Sequence, residues 1–256
     1  MAVMGNEVLT LAQLNIYMDS LKSPVKIVSW ADGTDEEIAA MVAAADAGKI
    51  NLGNYWHEGD TRTVHLSAMR VPEIHSEQNV QFVLTDPGHY MLANGKPCNF
   101  VVLQKDCLNE IGYMNSFNTN LGGWNDCERR GWCNNVYRNA IPSSLRPIFK
   151  QFITYAATDS SAASVASTDW FSLFSEKEIF GFTRYSNDFA EVNNAQLNYY
   201  KSASNRVKRV QGSTDIWWER SPRSDSSSYF CAVNRYGGYG NAIASTSRGL
   251  APFGCI

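Results

Sequence analysis

The sequence lacks several features that would assign the protein to a functional class. Its 256 residues contain no stretch approaching about 18 consecutive apolar residues, the length of a membrane-spanning helix. The N-terminus lacks the basic-then-apolar order of a signal peptide. Lysine and arginine total 22 against 25 acidic residues, without a long run of either sign. We therefore expect synthesis in a cytoplasm, no membrane insertion and no nucleic-acid partner.

Motifs that carry catalysis in large enzyme families are also absent. There is no Gly-x-Ser-x-Gly turn, phosphate-binding loop, dinucleotide-binding glycine pattern or His-Glu-x-x-His. The four histidines fall within 33 residues, but no two have the i, i+4 spacing of helical metal ligands. Ordinary strand and loop histidines are favoured over a metal site at His57, His65, His75 and His89. We expect no enzyme activity, no cofactor and no bound metal.

The cysteines are too few for a disulfide scaffold in a chain of this length. Cys127 and Cys133 are six positions apart, which is too far for a zinc knuckle. Most of the cysteines are expected to be small buried side chains, with a late disulfide as the alternative. Arg220 and Arg235 could lower the pKa of a nucleophilic thiol at Cys231. Every histidine that could act as its base is distant in sequence, so a buried thiol is favoured there too.

Residues 1–48 form a predicted α/β appendage that docks, oligomerises or tethers. Apolar residues at helical spacing predict a helix over 7–21, and "VKIVSW" predicts a short strand over 25–30. The alanine-rich segment 32–50 predicts a second helix, capped by Thr34 or Asp35 and acidic in its first turn. About fifty residues are few for independent stability.

Residues 49–256 form the predicted main domain, in which strands precede and follow a helical middle. Alternation in "TRTVHLSAM" predicts a half-buried strand, and "NVQFVLTD" and "NFVVLQKD" predict two more. A helix capped by Asn125 or Asp126 should bury Trp132, Cys133, Val136 and Tyr137 on one face. This order predicts an α+β domain whose two ends pair with each other.

Further elements of this domain follow from local patterns. Leu145, Ile148, Phe149 and Phe152 at i, i+3, i+4 and i+7 predict an amphipathic helix behind a Ser143/Ser144 cap. Residues 156–168 are predicted to be a surface loop, and 169–181 a strand that runs into a short helical turn. Residues 190–210 predict a polar helix, and the final block predicts several short strands.

The segment 221–248 lacks a particular set of residue types. Its 28 residues include no Lys, Glu, Gln, Met or Trp, although all five occur elsewhere in the chain. Ser, Tyr, Asn, Gly and Arg dominate, as they do in antibody loops, where Tyr and Arg supply contact area and small polar residues adapt. An ordinary flexible loop is the alternative. Phe230, Val233 and Ile243 at strand spacing favour a displayed binding surface instead.

The predicted surface separates into fixed and exposed positions. Seven anchors should hold it: Trp217, Trp218, Phe230, Val233, Ile243, Pro252 and Phe253. Thirteen candidate ligand-binding residues should be exposed: Arg223, Asp225, Ser226, Ser228, Tyr229, Asn234, Arg235, Tyr236, Tyr239, Asn241, Ser245, Ser247 and Arg248.

An ordered set of motifs resembles one domain family of gut phages and bacteria, which occurs in tail-fibre and surface proteins. The motifs are "GGWNDCERRGWCNNVYRNAIPSSLRPIFKQ", "WFSLFSEKEIFG", "QLNYYKSASNRVKR", "WWERSP" and "RGLAPFGCI". The likeness covers roughly residues 49–256, and residues 1–48 look like what precedes this domain in phage tail proteins. The family resembles the C-type lectin-like fold in its formylglycine-generating-enzyme-like branch.

This resemblance implies a phage-tail receptor-binding protein, located in the virion and made in a bacterial cytoplasm. Several proteins of this fold are diversified by retroelements that mutate adenines, and Asn codons mutated in this way cannot yield the five residue types that 221–248 lacks. The implied partners are a host cell-surface protein or glycan and other tail proteins, with a homotrimer as one assembly. Two alternatives remain open. The first is an oxidase like the formylglycine-generating enzymes, although Cys231 lacks a nearby cysteine partner. The second is a purely structural virion or surface protein.

Overall fold

The computed structural model describes residues 2–4, 7–22, 25–159 and 163–256. Over these ranges the fold is α+β, as predicted, and it consists of short helices and several small antiparallel sheets. The strands β1 (Ala2–Met4) and β2 (Glu7–Leu9) form a hairpin before helix α1 (Leu11–Lys22). The predicted helix over 7–21 thus begins later, because residues 7–9 pair with residues 2–4.

Helix α2 (Asp35–Asp46) begins as its sequence predicts. The Thr34 hydroxyl accepts a hydrogen bond from the Glu37 N–H, and the Glu37 carboxylate accepts one from the Thr34 N–H, at 3.3 and 2.9 Å. These two bonds satisfy two amide donors that a helix start leaves unpaired. The strand predicted over 25–30 is not formed. The Val28 carbonyl instead accepts a hydrogen bond from the Trp56 indole at 3.0 Å, and Trp30 is buried.

The segment around α2 docks on the main sheet. Trp30 and Met41 belong to the same apolar cluster as Val64. Nη1 of Arg62, on the sheet, donates to the Trp30 carbonyl at 3.1 Å, and its Nη2 lies 2.5 Å from the Asp35 carboxylate. Docking is one of the roles expected for the N-terminal appendage.

The main sheet brings the start and the end of the larger unit together. Its order is β13-β5-β4-β3, with β3 (Thr61–Leu66), β4 (Gln78–Thr85), β5 (Val101–Gln104) and β13 (Phe253–Cys255). Along β3 exposed and buried residues alternate, with Val64 and Leu66 buried, as the pattern predicts. The C-terminal strand β13 lies antiparallel to β5, which confirms that the two ends pair.

The helical middle is less regular than predicted. α3 (Gly123–Asp126) and α4 (Glu128–Trp132) are followed by a π-helical turn (Cys133–Tyr137) and α5 (Arg138–Ala140). Cys127 is the N-cap residue of α4, so the predicted caps at Asn125 and Asp126 are wrong. The predicted apolar face is largely confirmed: Trp132, Cys133 and Tyr137 are buried and Val136 is half-buried.

The amphipathic helix predicted over 145–152 is also wrong. Only Arg146–Ile148 forms a 3-10 turn, and Phe152 begins a strand. Pro147 removes a backbone donor, and Phe152 forms a β-bridge with Leu92. The apolar residues that gave the helical pattern are nevertheless all buried: Leu145, Ile148, Phe149 and Phe152.

Two further expectations fail between residues 152 and 214. The strand β6 (Phe152–Ala157) pairs with β7 (Ser164–Asp169), so much of the predicted 156–168 loop is a hairpin, with residues 160–162 outside the described residues. Helix α6 (Glu176–Phe180) is the predicted helical turn, with a Ser175 capping box. The predicted 190–210 helix reduces to α7 (Asn198–Lys201) and a 3-10 turn (Ala203–Arg206), before the short pair β8 (Arg209–Val210) and β9 (Ser213–Thr214). Side chains here bond to the backbone instead: Asn205 Nδ2 donates to the Tyr199 carbonyl at 2.8 Å.

The C-terminal block contains short strands, as predicted, and the structure pairs three of them in an antiparallel sheet. Its order is β10 (Trp217–Pro222), β11 (Tyr229–Val233) and β12 (Tyr239–Ile243). The register between β10 and β11 shifts between Trp218 and Pro222, so β10 carries extra residues there. No helix among the described residues is long and apolar enough to cross a membrane.

Candidate functional site

The candidate surface lies on the strands β11 and β12 and the loops beside them. All thirteen residues predicted to be exposed are at least partly accessible, and none is buried. Asp225, Arg235, Tyr236 and Ser245 are exposed, and the other nine are half-buried. Six of the seven predicted anchors are buried: Trp217, Trp218, Phe230, Val233, Pro252 and Phe253. Ile243 is only half-buried, since it lies opposite Tyr229 on the partly accessible face.

The register of β11 and β12 decides which side chains share a face. Residues directly opposite each other, and residues two apart on one strand, point to the same side of a sheet. One face therefore carries Tyr229, Cys231 and Val233 opposite Ile243, Asn241 and Tyr239. On the other face, Phe230, Ala232 and Ala242 belong to the apolar core.

Arg223 is the polar centre of this surface. Its guanidinium forms an ion pair with Asp225, and its Nη1 donates to the Asn241 side chain at 3.1 Å. The guanidinium carbon lies 5.1 Å from the Tyr185 ring centre and 5.7 Å from that of Tyr229. The hydrogen bond from Arg223 lowers the pKa of Asp225. The result is an accessible array of planar donors and aromatic rings.

A second aromatic group borders the surface and comes from outside the C-terminal block. The Tyr239 ring stacks on Phe180 at 3.9 Å between ring centres and lies 5.4 Å from Phe182. The Arg184 guanidinium carbon lies 5.7 Å from the Tyr239 ring centre. Phe182 is 58 % exposed. Sequence reasoning missed these residues, although "FGFTRY" at 180–185 has the aromatic and arginine content that marks the C-terminal block.

Asn120 fixes the loop that joins β10 to β11. Its Nδ2 donates to the Ser226 and Tyr229 carbonyls at 2.7 and 2.9 Å, with a longer bond to the Arg223 carbonyl at 3.4 Å. Its N–H donates to the Ser227 carbonyl at 2.8 Å. Asn120 is buried, so its side chain acts as an internal brace for residues 223–229. No local sequence signal identifies this role, since the partners lie more than 100 residues away.

The β11–β12 turn is shaped by one of the candidate residues. Asn234 Oδ1 accepts hydrogen bonds from the N–H groups of Tyr236 and Gly238 at 2.9 and 3.1 Å, and its Nδ2 donates to the Tyr239 carbonyl at 3.0 Å. Asn234 therefore holds the turn, while Arg235 and Tyr236 project from it, Tyr236 with 82 % exposure. Gly237 has φ +78°, a conformation that side chains disfavour.

The remaining candidates lie at the margins of the surface. The Ser228 N–H donates to the Ser226 hydroxyl at 3.3 Å within the β10–β11 loop. The Ser245 hydroxyl donates to the Asn118 side chain. The Arg248 backbone pairs with Gly112 through two 2.9 Å bonds, and its Nη1 donates to the Ser247 carbonyl at 3.3 Å. The main contacts of these residues are thus with neighbouring loops, not with the Arg223 array.

Charged residues are buried beneath the surface. Arg220 is fully buried and donates two hydrogen bonds to Glu178, at 2.6 and 2.7 Å. The Ser221 hydroxyl donates to Glu191, whose carboxyl pKa is raised by burial. The Glu176 carboxylate accepts hydrogen bonds from the N–H groups of residues 184–186 and from the Ser186 hydroxyl, at 2.8 to 3.1 Å.

Glu219 is the exception among these buried groups. It is 1 % exposed, and neither carboxylate oxygen has a hydrogen-bond partner within the described residues. Burial, and then the nearby Glu176 and Glu191 carboxylates, raise its pKa well above the usual value. Its carboxylate lies close to the Cys231 thiol, whose pKa burial also raises. A raised pKa opposes a nucleophilic thiolate, and Cys231 is the buried thiol that the sequence favours.

Replacing Glu219 by glutamine should change how stability depends on pH. A carboxyl group whose pKa is raised in the folded state favours folding while protonated, so stability falls as pH rises above the unfolded value near 4.5. Relative to wild type, the free energy of unfolding of E219Q should increase from pH 5 to pH 8, by at most about 1.4 kcal/mol per pH unit. Urea unfolding in EDTA buffer measures this difference. E77Q, at an exposed carboxylate, should track wild type, and a pH-independent E219Q difference would contradict the shifted pKa.

The other candidate chemical groups do not assemble into a site. All six cysteines are free and buried, which confirms the main expectation for them. His57 and His65 are exposed, and His75 is fully buried, where burial lowers its pKa. Among the described residues, no group of three potential metal ligands includes a histidine.

The C-terminal part of the chain, with all thirteen candidate residues, matches one family model. Residues 99–256 match a domain of unknown function, DUF6273. The chain belongs to this family. No curated protein and no solved structure shows significant similarity to it. The DUF6273 match spans β5 to β13 and the buried charged groups, and it begins after β3 and β4 of the main sheet.

Proposed function

We propose that this DUF6273 protein is a receptor-binding protein of the phage-tail type, with its ligand-binding surface on β11, β12 and the adjoining loops. One observation carries the proposal. The segment 221–248 combines a restricted residue palette with a division into accessible polar positions and buried anchors. A segment of this composition that was merely flexible would not need anchors such as Trp218 and Phe230, both fully buried.

The chemistry of the surface suits a polar, hydrogen-bonding ligand. Arg223 and Asn241 present planar donors and acceptors beside Tyr229, and Phe182 and Tyr239 add aromatic area. Tyrosine, tryptophan and arginine contribute a large share of the binding energy at protein interfaces. A host cell-surface glycan or protein fits this surface better than an apolar small molecule, for which an enclosed cavity is usual.

The finer fold assignment is part of the same proposal. A C-type lectin-like fold is supported by the pairing of the C-terminal strand β13 with β5 in the main sheet, and by a separate small sheet that carries the candidate surface. In this proposal residues 1–48 attach the protein to other tail proteins, and a homotrimer multiplies weak single-site contacts. Diversification of 221–248 by a retroelement accounts for the missing residue types. If neither a template repeat nor a reverse transcriptase gene lies near this gene, diversification is contradicted, but the proposal of receptor binding is unaffected.

A binding assay on bacterial cells tests the central claim. We expect the labelled protein to adsorb to a subset of a panel of gut bacteria. The variant R223A/Y229A/N241A should lose at least about tenfold in adsorption, since central aromatic and arginine contacts each contribute more than about 1 kcal/mol. T61A/T63A/H65A, on the exposed face of β3, is the matched control and should adsorb like wild type.

Circular dichroism and thermal unfolding of both triple variants separate lost contacts from lost folding. Equal adsorption by all three proteins, each folded, would contradict the proposed surface. A purely structural protein would adsorb to no strain. An oxidase would instead turn over a cysteine-containing peptide, and the buried Cys231 with its raised pKa gives that alternative no support.

A further inference from the structure

Three side chains from separate segments converge beneath the surface of β11. Single potential ligand atoms of Glu176, Glu219 and Cys231 all lie within 4.8 Å of one another, and all three residues are buried. Glu176 opens α6, Glu219 lies on β10, and Cys231 lies on the neighbouring strand β11. We propose that Glu176, Glu219 and Cys231 form a binding site for a divalent transition-metal ion, with Zn²⁺ as the best fit.

The unpartnered Glu219 carboxylate is the independent observation that points to a ligand. A buried carboxylate without a partner is expensive, and buried charges are normally paired or coordinate metals. The neighbouring cations are engaged elsewhere, Arg220 with Glu178 and Arg223 with Asp225. A bound cation would satisfy Glu219 where no described side chain does.

Glu176 and Cys231 are suited to complete the site. Hydrogen bonds to Glu176 concentrate on Oε2, which accepts four, whereas Oε1 accepts one of 3.1 Å. Oε1 therefore retains a lone pair that can bind a metal ion, while the hydrogen bonds to Oε2 fix the position of the carboxylate. The Cys231 sulfur is fully buried, one strand away from Glu219.

The ligand types and their spacing favour zinc over calcium or magnesium. Ca²⁺ and Mg²⁺ bind oxygen ligands and usually six or more of them, whereas Zn²⁺ binds thiolate, carboxylate and imidazole groups in fours. Tetrahedral zinc bonds of about 2.0–2.3 Å would place ligand atoms about 3.3–3.8 Å apart. The three ligand atoms lie within 4.8 Å of one another, so binding would draw the widest pair together by up to about 1–1.5 Å. A water molecule can supply the fourth ligand.

Binding would displace protons without any redox change. The metal ion replaces the thiol proton of Cys231 and the carboxyl proton of Glu219, and both protons pass to solvent. Because the site is closed, the ion would enter as the chain folds. The inference does not depend on receptor binding, since it concerns buried groups alone.

Refolding with and without metal tests the site. We expect protein refolded with Zn²⁺ and then desalted to retain one equivalent per chain and to melt several degrees higher than protein refolded in EDTA. Refolding with Co²⁺ should give a thiolate-to-cobalt absorption band in the near ultraviolet. C231A should lose the band and the retained metal. E219Q, which keeps the shape of the side chain, should lose most of the retained metal.

C133A is the matched control, because Cys133 is equally buried but lies outside the cluster. It should retain zinc and show the cobalt band. A folded wild-type protein that retains no zinc, shows no cobalt band and has the same melting temperature in both buffers would overturn the proposal. In that case Glu219 is a neutral carboxylic acid. Retention of zinc by C231A and E219Q alike would also overturn it, by placing the metal elsewhere.

Discussion

Replacing Arg220 by methionine is expected to lower the free energy of unfolding by about 3–5 kcal/mol. Arg220 is fully buried, and both of its terminal nitrogens donate to Glu178. Its Nη1 also donates to the Leu173 carbonyl at 2.8 Å, and its Nη2 to the Tyr155 carbonyl at 3.2 Å. Methionine fills a similar volume, but it leaves the Glu178 carboxylate buried without its cation. The Leu173 and Tyr155 carbonyls each lose one donor, and they keep the Ser172 hydroxyl and the Asn194 amide respectively.

Urea unfolding at neutral pH measures this effect, with R235M as the matched control. Arg235 is exposed at the β11–β12 turn, so R235M should remain within about 0.5 kcal/mol of wild type. R220M, if folded, should unfold at a much lower urea midpoint. Equal midpoints for the two variants would show that the buried pair does not stabilise the strands beneath the candidate surface.

Trp218→Ala is expected to cost about 3–5 kcal/mol of unfolding free energy. Trp218 is fully buried in the larger apolar cluster, where Phe230 and Leu250 are also members. Its indole N–H donates to the Gly112 carbonyl at 2.8 Å. Alanine would leave a cavity and remove that donor from a buried carbonyl.

A variant at an exposed aromatic position of the same block is the matched control. Y236A also removes an aromatic side chain from this block, but Tyr236 is 82 % exposed. The free energy of unfolding should therefore change by no more than about 0.5 kcal/mol. W218F should recover part of the loss, because it restores much of the volume. Equal destabilisation by W218A and Y236A would contradict the division of the C-terminal block into buried anchors and accessible positions.

The accessibility of the candidate residues could be predicted in part from sequence. Composition selected the segment 221–248, and the spacing of the apolar anchors guided the choice of thirteen positions, of which four are exposed and nine are half-buried. Composition could not assign roles, because roles depend on contacts. The amide oxygen and the amide nitrogen of Asn234 both form hydrogen bonds that stabilise a turn. Arg223, by contrast, lies at the centre of an accessible group of polar and aromatic side chains.

The contributions of distant segments could not be predicted. Asn120 reaches carbonyls more than 100 residues away, and Phe180 stacks on Tyr239. The sequence also leads us to expect no metal, because it offers no ligand motif. Glu176 and Glu219 are 43 positions apart, and only the packing of α6 against β10 brings them near Cys231.

Local sequence patterns sufficed to predict the elements whose capping residues or hydrophobic spacing agree with the final backbone conformation. The Thr34 capping box specifies the start of α2, and alternation specifies β3, because these signals involve neighbours in sequence. The tertiary structure decided the elements in which signals conflict. Helical spacing over 145–152 gave way to a turn and a strand, since Pro147 lacks a donor and Phe152 pairs with Leu92. The apolar character of these residues determined that they are buried. Their backbone conformation depended on the hydrogen-bonding partners that the tertiary structure places beside them.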